Sequence, residues 1–449
     1  MIAFASLFLG LVVGVAPVTV LVEGPVAAVR FELDGKAVGT LTKAPWKLPV
    51  DFGPELAPHE LMARAFDRGG REVGSSRQFV NLPRPPAEVE VVLERDEAGH
   101  PVAARYSGSS LVVFRPVRAA VTFDEKPLAA GEGSRVELPA YDPETRHVLS
   151  VELEFSETVR SRADVVFGGG AVSVARSELT AVAVRAAAGG GVPDAAALSG
   201  AIAQGGRALP VVAVEKGQAL ICVVRGPTVA QALKSLGAGG KTTLVDIPGG
   251  TTPGTRRLPQ FDRDAGRFTL PLQVEDRLRF IWPIPRMPGA APGAQVFDRS
   301  RDLTQADGGL HFLLTRVEHP GPYPRQFQLA DAAAVAGLEA TASGGRRAVV
   351  LVLGDETADA SRHTPAAVRR YLAAIRVPLF VWSLKNPAFQ PLARDWGAVE
   401  EVSTVERLEK AFERVKNELA SQRIVWVEGR YLPQDISLSE TAAGFELVR

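Results

Sequence analysis

Residues Arg346 to Ser361 read "RRAVVLVLGDETADAS". Ala348 to Leu353 is an unbroken apolar run, the pattern of a strand buried on both faces. Gly354 ends it, and Asp355, Glu356, Asp359 and Ser361 follow. Open α/β sheets gather their ligands at the carboxyl ends of buried strands. The stretch therefore reads as part of a metal site or as the polar lip of a sheet.

The flanking sequence alternates helical and strand patterns, the signature of an α/β sheet. Thr364 is placed to cap a helix with Pro365 at its first position, and Val368, Leu372 and Ile375 share one face. Asn386 and Pro387 are expected to open the next helix and Gly397 to close it. Ser403 and Glu406 have the spacing of a capping box, ahead of a face made by Leu408, Phe412, Val415 and Leu419. The expected buried strands are "ALICVVRG", "RLRFIW", "RAVVLVLG", "VPLFVWSL" and "RIVWVEG".

The N-terminal half carries β signals instead. "VRFELDGKAVGT" (Val29 to Thr40) is strand, Asp34-Gly35 turn, strand. A weak repeat with a period of about ninety residues aligns Val29 and Phe31 with Val121 and Phe123. It also aligns Leu48-Pro49 with Leu138-Pro139, His59 with His147, and Phe66 with Phe155. That period suits one β-sandwich per copy, and the paired histidines are expected to open the same strand in each. "LPRPPAEVE" (Leu82 to Glu90) is a proline-stiffened joint. The first copy resembles a bacterial immunoglobulin-like module in its "DG" hairpin and its "APW" (Ala44 to Trp46).

Composition narrows the function. The chain has 449 residues and is 46% hydrophobic, enough for several packed domains. Its 51 basic and 51 acidic residues cancel, and no basic run appears, which argues against nucleic acid as a partner. The single cysteine, Cys222, sits mid-run in "ALICVVRG" and reads as a buried structural thiol. Histidines 59, 100, 147, 311, 319 and 363 show no zinc-site spacing, and no GxSxG elbow is present. "SLGAGGKTT" (Ser235 to Thr243) imitates a phosphate loop through Gly240, Lys241 and Thr242. Ser235 stands where the first glycine belongs, and a helix pattern precedes the loop where a strand is needed. Ile2 to Ala16 is apolar and too short for a comfortable membrane span, so residues 1–16 are expected to be a signal segment, although no Lys or Arg precedes Arg30.

The run from "AVVLVLG" through "TPAAVRRYLAAI", "VPLFVWSL" and "VERLEKAFERVKNELASQRIVWV" resembles the von Willebrand factor type A domain. More narrowly it resembles type A-related proteins of acidobacterial kind, in which this domain follows a β-rich half. The match is strongest over Arg346 to Pro433 and weaker back to about Ala219. The resemblance implies a Rossmann-like sheet and, in active members, a divalent-metal adhesion site. Such a site uses a D-x-S-x-S loop after the first strand, a threonine in a second loop and an aspartate after the fourth strand. Here the corresponding positions hold Arg225 and Thr228, then Gln326 and Phe327, then Asp355. Asp355 alone keeps the pattern, and with Arg225 nearby it is expected to form an ion pair rather than bind metal. The alternative is a rebuilt Mg or Ca site from Asp298, Ser300 and Asp355, drawn from the near-miss "FDRSRD".

The expected organisation is a possible signal segment at 1–16, an immunoglobulin-like β-sandwich at 17–83 and a second sandwich at 87–176. A β lead-in at 177–217, a type A-like α/β domain at 218–433 and a C-terminal tail at 434–449 complete it. The expected function is a non-enzymatic, exported protein-binding scaffold of the cell envelope, with a degenerate metal site and no cofactor. Membrane contact would be at most through an uncleaved N-terminus. Its interface candidates are Arg225, Asp355, Glu356, Asp359 and Arg362. The alternatives are a metal-dependent receptor and a nucleotide-binding enzyme using Lys241 and Thr242.

Overall fold

The computed structural model of the chain describes residues 2–449 apart from 7, 9, 23, 84–86, 97, 111–115, 130–133, 157–158, 170, 176–178, 188–195, 238–242, 249–254, 261–269, 287–295, 323–325, 440–441 and 443. The N-terminal half forms two β-sandwiches. In the first, Val15–Val22 lies between Ile2–Phe4 and Lys47–Asp51. The facing sheet runs Lys36–Leu41, Ala28–Leu33, His59–Phe66, Glu72–Val80. In the second, Pro101–Ser110 lies between Ala87–Arg95 and Arg135–Glu137. Its facing sheet runs Lys126–Leu128, Arg118–Phe123, His147–Ser156, Val159–Gly168, with Ala171–Ala175 added at the edge. The second sandwich is thus a full copy of the first plus one strand.

The repeat holds at the level of atoms. Asp34 and Gly35 both have positive φ, as do Asp124 and Glu125, so each copy makes the same tight hairpin. Asp34 Oδ1 accepts from Glu60 N at 2.8 Å, and Asp124 Oδ1 accepts from Val148 N at 2.8 Å. The other carboxylate oxygen meets Nδ1 of His59 at 2.8 Å in one copy and Nδ1 of His147 at 2.7 Å in the other. Each histidine opens its strand, as expected, and ties that strand to the hairpin turn.

The apolar N-terminal stretch is built into the first sandwich. Ile2, Val12 and Ala16 belong to its core with Val29, Phe31 and Leu61. Asn81 clamps Val12 from both sides: its Oδ1 accepts from Val12 N at 2.8 Å and its Nδ2 donates to Val12 O at 2.9 Å. Strand Val15–Val22 follows, with Ala16, Val18 and Val20 buried in alternation.

The α/β domain is centred on a six-stranded sheet. Its strands are β1 (Ala219–Arg225), β2 (Asp276–Pro285), β3 (Phe297–Arg299), β4 (Arg346–Leu353), β5 (Leu379–Ser383) and β6 (Glu400–Glu401). They lie in the order β3-β2-β1-β4-β5-β6, parallel except for the edge strand β3. This is the doubly wound order, with its switch point between β1 and β4. Among the described residues five helices flank it: α1 (Pro227–Gly237), α2 (Leu310–Arg316), α3 (Leu329–Ala342), α4 (Pro365–Ala374) and α5 (Val405–Ser421). Val349, Leu351 and Leu353 pack toward α3 and α4; Ala348, Val350 and Val352 pack toward α1, α2 and α5. That alternation explains why β4 is apolar throughout. Thr364 caps α4 as expected, whereas Thr404, not Ser403, caps α5. Asn386-Pro387 opens a 3₁₀ turn, Pro387–Phe389, rather than a helix, and Gly397 closes a second one, Ala393–Trp396.

One expected sheet strand belongs elsewhere. Gln422–Glu428 pairs with Leu179–Ala186 and Val211–Glu215, outside the six-stranded sheet. With Phe445–Leu447 they form a four-stranded sheet facing Arg207–Ala208, Ile202–Gln204 and Ile436–Leu438. Val182, Val184, Ile202, Val425, Val427 and Ile436 make its core. The expected lead-in and the expected tail are therefore two halves of one β unit, closed around the α/β domain's ends. Strands 422–428 and 346–353 each carry an unbroken apolar run, so periodicity alone could not tell which sheet each joins.

The first sandwich packs directly on the α/β domain. Leu11 and Leu56 enter the apolar cluster that holds Leu329, Tyr371, Leu372 and Trp396. The buried Tyr371 hydroxyl donates to Asn81 O at 2.9 Å, and Gln434 Nε2 donates to Pro58 O at 2.9 Å.

Candidate functional site

The switch point lies where β1 and β4 end. Arg225 closes β1 and is 1% exposed. Its guanidinium lies over the rings of Phe280 and Trp282, 5.6 and 5.3 Å from their centroids, and donates to Val317 O. The expected Arg225–Asp355 pairing is not formed. Asp355 is exposed and pairs with Lys385 Nζ at 2.7 Å.

Glu356, 4% exposed, occupies the centre of the edge. Its Oε1 accepts from Thr228 Oγ1 at 2.6 Å and from Thr228 N at 3.3 Å, and its Oε2 accepts from Gly354 N at 2.6 Å. Thr228 Oγ1 in turn accepts from Asp355 N at 2.8 Å. The carboxylate thus sits at the N-terminus of α1, where the helix dipole favours negative charge. Gly226 and Gly354 make room for it: a Cβ on Gly226 would overlap the Glu356 carboxylate, and one on Gly354 would overlap Thr228 Oγ1. Gln390 Nε2 donates to Gly354 O at 2.6 Å and fastens the loop after β5 to the same edge.

These residues do not fit a divalent cation. Mg²⁺ and Ca²⁺ require six or more oxygens converging on one point. Both Glu356 oxygens are turned inward to three donors, and Asp355 faces a lysine. Among the described residues no group of three acidic, histidine or cysteine side chains converges. The alternative ligand set is dispersed as well. Asp298 lies on β3, three strand spacings, or about 14 Å, from β4. It pairs with Arg286 and with His319 Nε2, the latter at 3.1 Å, while Ser300 Oγ accepts from Phe280 N at 3.0 Å. Asp302 pairs with Arg279, and Thr304 caps the 3₁₀ turn Gln305–Asp307.

The remaining candidates are structural fastenings. Asp359 accepts from Leu329 N at 2.9 Å and Ala330 N at 3.0 Å, so it caps α3. The buried Asp331 accepts from Arg362 N and His363 N at 2.9 and 3.0 Å and meets His363 Nδ1 at 2.7 Å. Phe327 is half-buried, and its carbonyl accepts from Ala360 N at 2.9 Å. Of the five expected interface residues, Arg225 and Glu356 are buried and Asp359 is committed to its helix; Asp355 and Arg362 stand in solvent. A residue missed by sequence reasoning stands beside them: Phe389, 80% exposed, at the tip of the Pro387–Phe389 turn. Burial pushes the Cys222 thiol up in pKa, in keeping with a structural role. Lys241 and Thr242 lie outside the described residues. Helix α1 precedes that segment and strand Thr243–Pro248 follows it, the reverse of a phosphate loop. Among the described residues no helix is long and apolar enough to cross a membrane.

No family model matches the chain, and no curated protein sequence matches it. Solved structures give distant similarities. The fibronectin(III)-like modules of Clostridium thermocellum CbhA align at 19% identity over 18% of this chain and 93% of theirs, with a TM-score of 0.17. Proximal thread matrix protein 1 of the mussel byssus aligns at 12% identity over 52% of this chain, with a TM-score of 0.25; the match spans 50% of the byssus protein. The central fibronectin-III array of RIM-binding protein aligns at 10% identity over 43% of this chain and 80% of its own, with a TM-score of 0.21.

Proposed function

We propose that the chain is a non-enzymatic, metal-independent protein-binding scaffold, exported to the cell envelope or exterior. In this reading its α/β domain is of the von Willebrand factor type A kind, supported by the resemblance over Arg346 to Pro433 and by the 3-2-1-4-5-6 strand order with one antiparallel edge. The observation that carries the reading is the Glu356 carboxylate, hydrogen-bonded to Thr228 and Gly354 at the switch point. An internal side chain holds the two loops in register there, a task that a cation performs in active members of such a family. Partner contact then falls to the solvent-facing groups of the same edge: Asp355 with Lys385, Arg362, and Phe389. A large aromatic held at a tethered turn loses little conformational entropy on binding, which suits it to anchor an interface.

The test is capture of partners by the tagged full chain from its source cells, in EDTA and in millimolar Mg²⁺, beside Phe389→Asp. The proposal expects the same captured protein in both buffers and its loss with Phe389→Asp. Capture that requires Mg²⁺, or that is unchanged in the variant, contradicts it.

A further inference from the structure

The two sandwiches carry the same histidine–aspartate fastening, yet the second histidine is set differently. His59 meets Asp34 through Nδ1, and its Nε2 is buried with no hydrogen-bond partner, beside the Phe52 ring at 5.8 Å. One N–H serves every partner that His59 has. His147 meets acceptors at both nitrogens. Nδ1 lies 2.7 Å from Asp124 Oδ2, and Nε2 lies 2.9 Å from Asp142 O and 2.8 Å from Thr145 Oγ1. Thr145 Oγ1 donates to Asp142 O at 3.0 Å, which turns an oxygen lone pair toward the ring. A neutral imidazole has one N–H and one lone pair; only the imidazolium donates from both nitrogens.

Aromatic rings and a closely packed turn surround His147. Its ring stacks on Phe123 at 5.2 Å and meets Tyr141 and Phe167 at 5.0 and 6.2 Å. The Asp142–Arg146 turn is held against the neighbouring hairpin, where Gly169 N donates to Pro143 O at 2.9 Å. Gly168, at φ +90°, lets that turn approach closely: a Cβ there would overlap Thr145 O. The charged and titratable groups facing the ring are Asp124 and Lys126 from the hairpin, and Tyr141 and the Asp142 carboxylate from the turn. The Phe167 strand presents an apolar ring.

We infer that His147 is a pH-sensitive fastening of the second sandwich: as an imidazolium it bolts strand His147–Ser156 to both the Asp124 hairpin and the Asp142 turn, and on deprotonation it releases one of them. The hydrogen bond to Asp124 raises the His147 pKa above its ordinary value, against the effect of burial, and the Asp142 carbonyl adds to the rise. The sign follows from linkage. The raised folded-state pKa gives stability that is fully present below the ordinary histidine value of about 6.5 and lost as pH rises through the folded value. Asp124 sets the acid limit. Burial opposes its ionisation, but hydrogen bonds from His147 and Val148 N hold its pKa below the usual range, so its contribution is lost as pH falls through that lowered value.

The test uses the full chain. Amide hydrogen exchange, converted to protection factors, is followed on His147–Ser156 and, as internal reference, on His59–Phe66. The histidine ring resonances are titrated in the same sample. His147 is expected to titrate above about 6.5, and the second sandwich to lose about tenfold protection relative to the first between about pH 6 and pH 9. Asp124→Asn is expected to flatten that slope. A His147 titration at or below the ordinary value, a constant ratio of protection, or an unchanged slope in Asp124→Asn overturns the inference.

Discussion

Glu356 holds the switch point because Gly226 and Gly354 leave room for it and Thr228 offers both its hydroxyl and its N–H. Gly226→Ala is expected to destabilise the α/β domain by about 1–3 kcal/mol, since the methyl group must displace the carboxylate. Thr228→Val removes the donor and leaves a buried carboxylate under-satisfied, a loss of about 1–3 kcal/mol, while Thr228→Ser retains most of the stability. Denaturant unfolding of the three variants checks both. Asp355 was legible in the sequence because it follows a buried strand, but its partner was not. Lys385 lies thirty residues on, in a loop whose path depends on Gln390 reaching Gly354. Glu356 was visible only as one more acidic residue. Nothing in local spacing distinguishes a carboxylate that folds inward from one that faces solvent.

At the scale of elements, the β hairpins, the buried strands and the amphipathic faces of α4 and α5 were readable from periodicity and turn chemistry. The repeat was readable too, because the two copies keep Phe31 and Phe123, and His59 and His147, at matching places. Strand partners were not readable. Gln422–Glu428 looks like a central strand and is one, but of a different sheet, whose other half begins at Leu179. The N-terminal run was ambiguous for a similar reason, since a signal segment and a buried strand are both apolar. In the structure Ile2 and Val12 pack in the core of the first sandwich. Tyr371→Phe deletes the hydrogen bond to Asn81 O and is expected to cost about 1 kcal/mol, measured by the denaturation midpoint.

The molecule joins a doubly wound sheet, a β unit closed from both ends of that domain, and a sandwich seated on helix α4. Leu11 and Leu56 of that sandwich cover the α/β core, so the α/β region is best studied within the whole chain. The central claim is that the switch point works without a cation. The measurement that bears on it most directly is thermal melting of the full chain in EDTA, then in millimolar Mg²⁺, Ca²⁺ or Mn²⁺, with Asp355→Ala alongside. A cation bound only by the folded state adds about 2.7 kcal/mol at a hundredfold excess over its dissociation constant, a readable rise in midpoint. The account predicts no shift with any of the three ions and the same behaviour in Asp355→Ala. A rise in the natural chain that disappears in Asp355→Ala would contradict it.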